Sequence, residues 1–193
     1  MYPILICSIL SVAIFLEKLW VLRLKKIIPP SFIVDIEHML RSEKIQEAIA
    51  LCREVNTPLS RILLNGIRHY GKRREELKEI IEEVGKHEAA HLDKYVETLG
   101  TIASVATLLG LLGTISGMIK IFSTISHAQT VNPTLLANGI SEALYTTAAG
   151  LSVAIPTIIF YRYIANKSDW LILQMEEHCL RMIELLKERQ SKT

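Results

Sequence analysis

The sequence predicts an all-α integral membrane protein, on three observations. Half of its 193 residues are hydrophobic and only 22% are charged, fewer than the roughly 25% of a soluble domain, and mean hydropathy is positive. The apolar residues are concentrated in long stretches rather than spread. Aromatic residues make up 6% and no strand-like alternation runs through the chain, which argues against a β protein. The length suits one domain of ordinary size. A net charge of +2 without a long Lys/Arg run excludes a nucleic-acid partner held by a basic field. Cys7, Cys52 and Cys179 stand far apart, so neither a disulfide framework nor a metal site is expected.

Residues 1–22 form the first transmembrane helix. Pro3 to Leu16 carries no charge, Glu17-Lys18 interrupts, and Leu19 to Leu22 completes the span around Trp20. A signal peptide would place basic residues before the apolar run and a small-x-small site after it. Here the basic residues follow, so an uncleaved anchor is expected, with no outer extension ahead of residue 3. Glu17 and Lys18 are read as snorkelling to the headgroups beside Trp20.

Between Thr98 and Tyr161 the only acidic residue is Glu142 and the only Lys or Arg is Lys120. Such a run of roughly sixty residues is too long for one crossing, which needs about 20. Segment 127–134, with Asn132-Pro133, divides it into a hairpin. The second span is Leu99 to Ile125 within a long helix over 76–126, and the third is Leu135 to Tyr163 within a helix over 135–193. Arg23, Lys25 and Lys26 follow span one, Lys86 and Lys94 precede span two, and Arg162 and Lys167 follow span three, while the turn has neither Lys nor Arg. The positive-inside rule therefore turns the N-terminus and 127–134 outward and leaves 23–98 and the tail cytoplasmic. Asn166-Lys167-Ser168 has the glycosylation pattern but falls on the cytoplasmic side.

The cytoplasmic segment 23–75 reads as helices: Phe32 to Leu51, a break at Asn56-Thr57-Pro58, then Leu59 to Tyr70. Leu77, Ile81, Val84, Leu92, Tyr95 and Leu99 continue one face into span two without a proline, a rod of about 50 residues and roughly 75 Å. Ile172, Met175, Cys179, Met182 and Leu186 form a coiled-coil-like seam. These faces predict packing of the two long helices on each other and on further copies.

Chemistry-bearing residues are few. Gly113 and Gly117 make a GxxxG pair with Gly110 one turn earlier, and Gly100, Thr107 and Thr114 recur at seven. Ala143, Thr147, Gly150 and Ala154 give span three a second smooth face. Small residues let helix backbones approach closely in a membrane, so packing of span two on span three accounts for most of them. The hydroxyls of Thr114 and Thr147 either face something wet or bond a carbonyl one turn back. Glu142 is costly within a membrane and is expected at a cavity, an interface or a partner, unless it is solvated near the outer boundary. Pro156 should bend its helix and free a carbonyl. His87-Glu88-Ala89-Ala90-His91 matches the H-E-x-x-H pattern of zinc proteases. It lacks a third ligand nearby, and Glu88 and His91 lie within the apolar stripe, where they could serve an interhelical contact. No P-loop, dinucleotide fingerprint or nucleophile elbow occurs, so neither catalytic residue nor cofactor is expected.

Ala106 to Ile119, with its core Gly110-Leu111-Leu112-Gly113-Thr114-Ile115-Ser116-Gly117, closely resembles the second-span signature of the MotA/TolQ/ExbB proton-channel family. Gly139 to Pro156 resembles its third-span signature, and Leu16 to Arg23 resembles the end of its first span, with 24–75 the least diagnostic part. The resemblance implies a motor subunit driven by the proton motive force in the bacterial inner membrane, N-terminus periplasmic and C-terminus cytoplasmic. It implies a pentamer around two transmembrane helices of a single-span ExbD- or TolR-like partner whose aspartate carries the proton. It maps the family's pore threonines onto Thr114 and Thr147 and its third-span glutamate onto Glu142. Thr107 stands where the family usually has proline, so the resemblance implies no kink in span two, and the threonine adds a hydroxyl to the implied pore. The compact three-span form with Leu-Glu-Lys-Leu-Trp is more similar to the ExbB branch, which works through a TonB-like protein in outer-membrane uptake, than to the TolQ branch of the Tol–Pal system. The MotA branch has four spans and a larger cytoplasmic domain.

Overall fold

The computed structural model describes residues 2–69, 71–127 and 133–190, with the side chains of 127, 135 and 186–190 outside that description. Among the described residues every regular element is a helix: α1 (Tyr2–Val21), α2 (Leu24–Ile27), α3 (Pro30–Arg41), α4 (Ile45–Val55), α5 (Pro58–Arg68), α6 (Arg74–Asp93), α7 (Val96–His127) and α8 (Pro133–Gln190). Three helical stretches are long and apolar enough to cross a membrane: Tyr2–Val21, Arg74–Ser126 and Leu136–Leu185. The all-α class and the three spans agree with the sequence. Most of the expected 127–134 turn, and the side chain of Leu186, fall outside the described residues.

The chain forms two compact units. One comprises Met1–Lys18 and Tyr95–Ile164, the other Leu19–Lys94 and Ala165–Thr193.

In the first unit, α1 buries Ile4, Ser11 and Lys18, a stripe that recurs every seven residues. Phe15 stacks on Phe160 of α8, with ring centroids 4.0 Å apart, and meets Tyr163 edge-on at 6.4 Å. Such ring pairs add about 0.5–1.5 kcal/mol beyond their area. Lys18 is only 3% exposed, so the expected snorkelling at this position does not occur. The cation at the tryptophan is instead Lys26, in the second unit, whose Nζ sits 2.9 Å from the centre of the Trp20 ring.

The second unit is a helical bundle on an aliphatic core. Phe32, Ile36 and Leu40 come from α3, Ala48 and Cys52 from α4, Leu59, Ile62, Leu63 and Ile67 from α5, and Leu77, Ile81 and Leu92 from α6. The distal part of α8 adds Leu171, Met175, Cys179, Met182 and Ile183. The α3–α4, α4–α5 and α5–α6 pairs pack sequentially. The break expected at Asn56-Thr57-Pro58 is built from local chemistry. Asn56 adopts a left-handed conformation, Thr57 and Ser60 exchange side-chain-to-backbone hydrogen bonds as a capping box, and Pro58 opens α5.

Two expected helices are each divided. Phe32 to Leu51 is split between α3 and α4 by a turn at 42–44, with Glu43 at φ 66°. The unbroken helix expected over 76–126 is interrupted at Lys94 and Tyr95, with Tyr95 at φ 67°. A left-handed non-glycine residue costs of order 1–2 kcal/mol. On the two sides of the interruption, Leu92 and Val96 are each 4% exposed, and the Ser168 hydroxyl donates to the Asp93 carboxylate at 2.6 Å. Tertiary packing outweighs local preference here, and no glycine or proline marks the place.

Burial pushes the thiols of Cys52 and Cys179 up from an ordinary 9.0 to about 12, Glu176 adding to the effect at Cys179. Only the thiolate reacts with alkylating agents, and a thiol so raised holds about a thousandfold less of it, which slows labelling in proportion. In a Cys7→Ser background, iodoacetamide at pH 8 should label neither residue in folded protein and both after denaturation. Rapid labelling of folded protein would show that the core is open.

Candidate functional site

The sequence-predicted polar residues lie in the first unit, where α7 and α8 form an antiparallel hairpin. Its seam is made of small residues at constant register. A Cβ added at Gly117 would lie 2.8 Å from that of Ala143, and one at Gly113 would lie 2.6 Å from that of Thr146. At Gly110 a Cβ would lie 3.3 Å from the Cα atoms of Gly150 and Thr147. At Gly150 it would lie 2.7 Å from the Ala106 carbonyl oxygen and 2.8 Å from the Gly110 Cα. The neighbours at Gly110 and Gly150 are backbone, which has no rotamer with which to give way. Ala106, Ala143 and Ala154 are buried, and Gly100 stands against Tyr161 at ordinary contact distance. Without a hydrophobic effect between helices in lipid, this close approach is what holds them.

Thr147 is placed by the same seam. Its hydroxyl donates across to the Gly110 carbonyl oxygen at 2.9 Å, a bond that averages about 0.6 kcal/mol and reaches about 1.7 in membrane bundles. Thr114 is half-buried, and its hydroxyl donates to Leu111 of its own helix at 2.7 Å. It lines a shallow groove along α7 with Ile115, Met118, Ile119, Phe122, Ser123 and Ser126. Thr107 is exposed and donates to the Ala103 carbonyl at 3.0 Å. Glu142 is exposed on α8, and among the described residues its carboxylate makes no ion pair. Thus Thr147 joins the seam with Gly110 and Gly150, Thr114 lies in the α7 groove, and Thr107 and Glu142 are exposed.

Pro156 lies inside α8, where it has no N–H to give the Ser152 carbonyl. On either side the Ser152 and Thr157 hydroxyls donate to Ala148 and Val153, at 2.8 and 2.7 Å. Thr146 escaped the sequence reading. It packs on Gly113, and its hydroxyl is shared between the Glu142 and Ala143 carbonyls at 3.0 and 2.9 Å. The signal available was its place opposite the glycines. Buried Lys18 was likewise missed, although it continues the heptad stripe of Ile4 and Ser11.

In the second unit, the H-E-x-x-H segment is arranged against hydrolytic chemistry. Glu88 is 6% exposed, and its carboxylate is gripped bidentately by Arg61, whose Nε donates at 2.7 Å and whose Nη2 donates to the other oxygen. This pairing raises the Arg61 pKa. A metalloprotease needs that carboxylate free to activate water. The imidazoles of His87 and His91 are exposed, with centroids 5.4 Å apart. The buried interhelical partner of Glu88 is an arginine of α5.

A hairpin of apolar spans sealed by glycines, with isolated hydroxyls and one acid on its surfaces, defines a membrane helical subunit suited to ion transport. The sequence profile of the MotA/TolQ/ExbB proton channel family matches residues 54–177, and the chain belongs to that family. It is 32% identical over 160 residues to the biopolymer transport protein ExbB-like 3 of Synechocystis sp., covering 82% of this chain and 76% of that one. The biopolymer transport protein exbB1 of Vibrio cholerae is 28% identical over 191 residues, 95% of this chain and 82% of the relative. An ExbB homolog of Methanothermobacter thermautotrophicus is 30% identical, over 80% of this chain and 55% of its own length.

The seam makes a direct prediction. Gly150→Ala should destabilise the hairpin by about 1–3 kcal/mol, since its methyl group meets backbone. Gly100→Ala, with room against Tyr161, should be neutral or slightly stabilising. Thermal unfolding of the two variants in the same detergent should separate them, and equal stability would refute the close approach.

Proposed function

We propose that this chain is an ExbB-type subunit of the bacterial inner membrane, with its N-terminus periplasmic and its C-terminus cytoplasmic. Five copies surround the transmembrane helices of an ExbD-like single-span partner, and proton flow through the complex energises TonB-dependent transport across the outer membrane. The observation that carries the reading is Glu142. It is exposed on an apolar helix and has no ion pair among the described residues, an arrangement whose cost demands water or another chain. Family membership and ExbB-named relatives spanning most of the chain support it further.

A proton relay needs groups that both accept and donate. Each threonine hydroxyl holds one proton and two lone pairs. Thr114 and Thr147 commit that proton to carbonyls of Leu111 and Gly110, so at rest they present lone pairs. Rotation about χ1 frees the donor and completes a transfer. Glu142 supplies the one carboxylate, Thr107 adds a further hydroxyl, and the partner's acid supplies the second titrating group. Alone, the path is incomplete.

A TolQ-type role in the Tol–Pal system is the alternative. The identity of the co-purifying partner separates the two.

Thr147→Val, Thr114→Val and Glu142→Gln each remove the transferable proton while keeping shape. Each should lower energised uptake by about a hundredfold, the scale of a lost proton-transfer group, while native mass analysis shows the complex intact. Thr147→Ser should retain most activity. Wild-type uptake in all three variants would assign these residues to packing alone.

A further inference from the structure

The H-E-x-x-H segment holds two side chains that neither the core nor the proton path uses. His87 and His91 stand one turn apart near the end of α6, so their imidazoles share one flank of the helix. Glu88 and Leu92 decide which flank that is. The grip of Arg61 on Glu88 and the burial of Leu92 fix the rotation of α6 about its axis, and both histidines are left exposed. Their rings contact each other, with centroids 5.4 Å apart and planes at 61°. Among the described residues neither ring has a hydrogen bond or an ion pair.

Two imidazoles so placed can share one ion. A tetrahedral ion binds an imidazole nitrogen at about 2.0–2.1 Å, which puts the centroids of two rings on it roughly 5 Å apart. The separation in this chain is already near that value. Each neutral imidazole offers one lone pair. Nitrogen donors select zinc, copper or nickel over calcium and magnesium, which take oxygen. No third His, Cys, Asp or Glu completes a cluster among the described residues, so water fills the other positions and the affinity falls below that of a closed structural site. Glu83 stands one turn before His87 on this flank and Lys94 follows His91 beyond the helix end, so the fixed charges there offset.

We propose that His87 and His91 form a two-imidazole site for a divalent transition-metal ion of the zinc type, and that the bound ion clamps the last turns of α6. Hydrolysis is not its use, because Glu88, the base of the H-E-x-x-H mechanism, is already engaged by Arg61. The ion acts mechanically. It joins one turn of α6 to the next just before the interruption at Lys94 and Tyr95, where no glycine or proline defines the helix end. The site is independent of the proton path and of the role proposed above.

The test uses zinc alone on full-length, tag-free Cys7→Ser protein in detergent, with magnesium as the control; the substitution removes the one thiol that is not buried. Calorimetry should show one zinc bound per copy and no magnesium. A chelate needs both rings, so His87→Ala, His91→Ala and the double variant should each weaken zinc binding by a similar factor, at least about tenfold, the scale at which even the supporting contacts of a metal ligand count. Copper(II) in the parent should give an electron paramagnetic resonance spectrum with coupling to two imidazole nitrogens. Zinc should slow amide exchange over residues 87–93 several-fold in the parent and leave it unchanged in His91→Ala. Both positions are exposed, so the variants should fold, which helix content and thermal unfolding verify. Zinc binding retained in the double variant, single variants that each lose only half of the bound zinc, or a parent that binds none would overturn the proposal.

Discussion

The backbone contact between Gly110 and Gly150 places the polar groups around it. Where the helices come this close, Thr147, one turn back along α8, finds the Gly110 carbonyl within hydrogen-bond reach. One turn on either side, Gly113 admits Thr146 and Ala106 admits Gly150. Once register is fixed, the remaining polar groups are sorted by geometry: Thr114 to the α7 groove, Glu142 and Thr107 to open faces. A single added methyl group in the seam would therefore move the hydroxyls as well as loosen the packing. Helix packing and the placement of these hydroxyls share the same few residues.

The second unit follows a different logic. It has a side-chain core of ordinary hydrophobic type, with burial of several large aliphatic residues at about 1.5–3 kcal/mol each. Among the described residues its one buried carboxylate, Glu88, is neutralised by a fork of Arg61 that also reaches the Asn56 carbonyl. That pairing ties α5 to α6 and consumes the group a hydrolase would have needed. The segment that looks most like an active site is thus part of the scaffold.

Much of this was legible in the sequence because its signals were strong. Uncharged stretches marked the spans, Asn56-Thr57-Pro58 marked a helix start, and Gly110, Gly113, Gly117 and Gly150 marked the seam. Glu88 betrayed itself as an acid within an apolar stripe. The interruptions at Glu43 and Tyr95 were not legible, since neither is a glycine or proline; at Glu43 the left-handed residue lets the Lys44 N–H donate to the Met39 carbonyl and close the end of α3. Lys18 read as a snorkelling residue because hydropathy does not say which face of α1 is covered. The partner of Thr147 depended on helix register, which the pattern of small residues suggests but does not fix.

The central claim is that this chain offers part of a proton path and a partner completes it. Proton flux into vesicles under an imposed gradient, compared for this chain alone and for the chain with its single-span partner, tests it most directly. Tight vesicles are expected with the chain alone, and partner-dependent flux that falls when Glu142 is neutralised. Flux through the chain alone, or flux indifferent to Glu142, would contradict the claim.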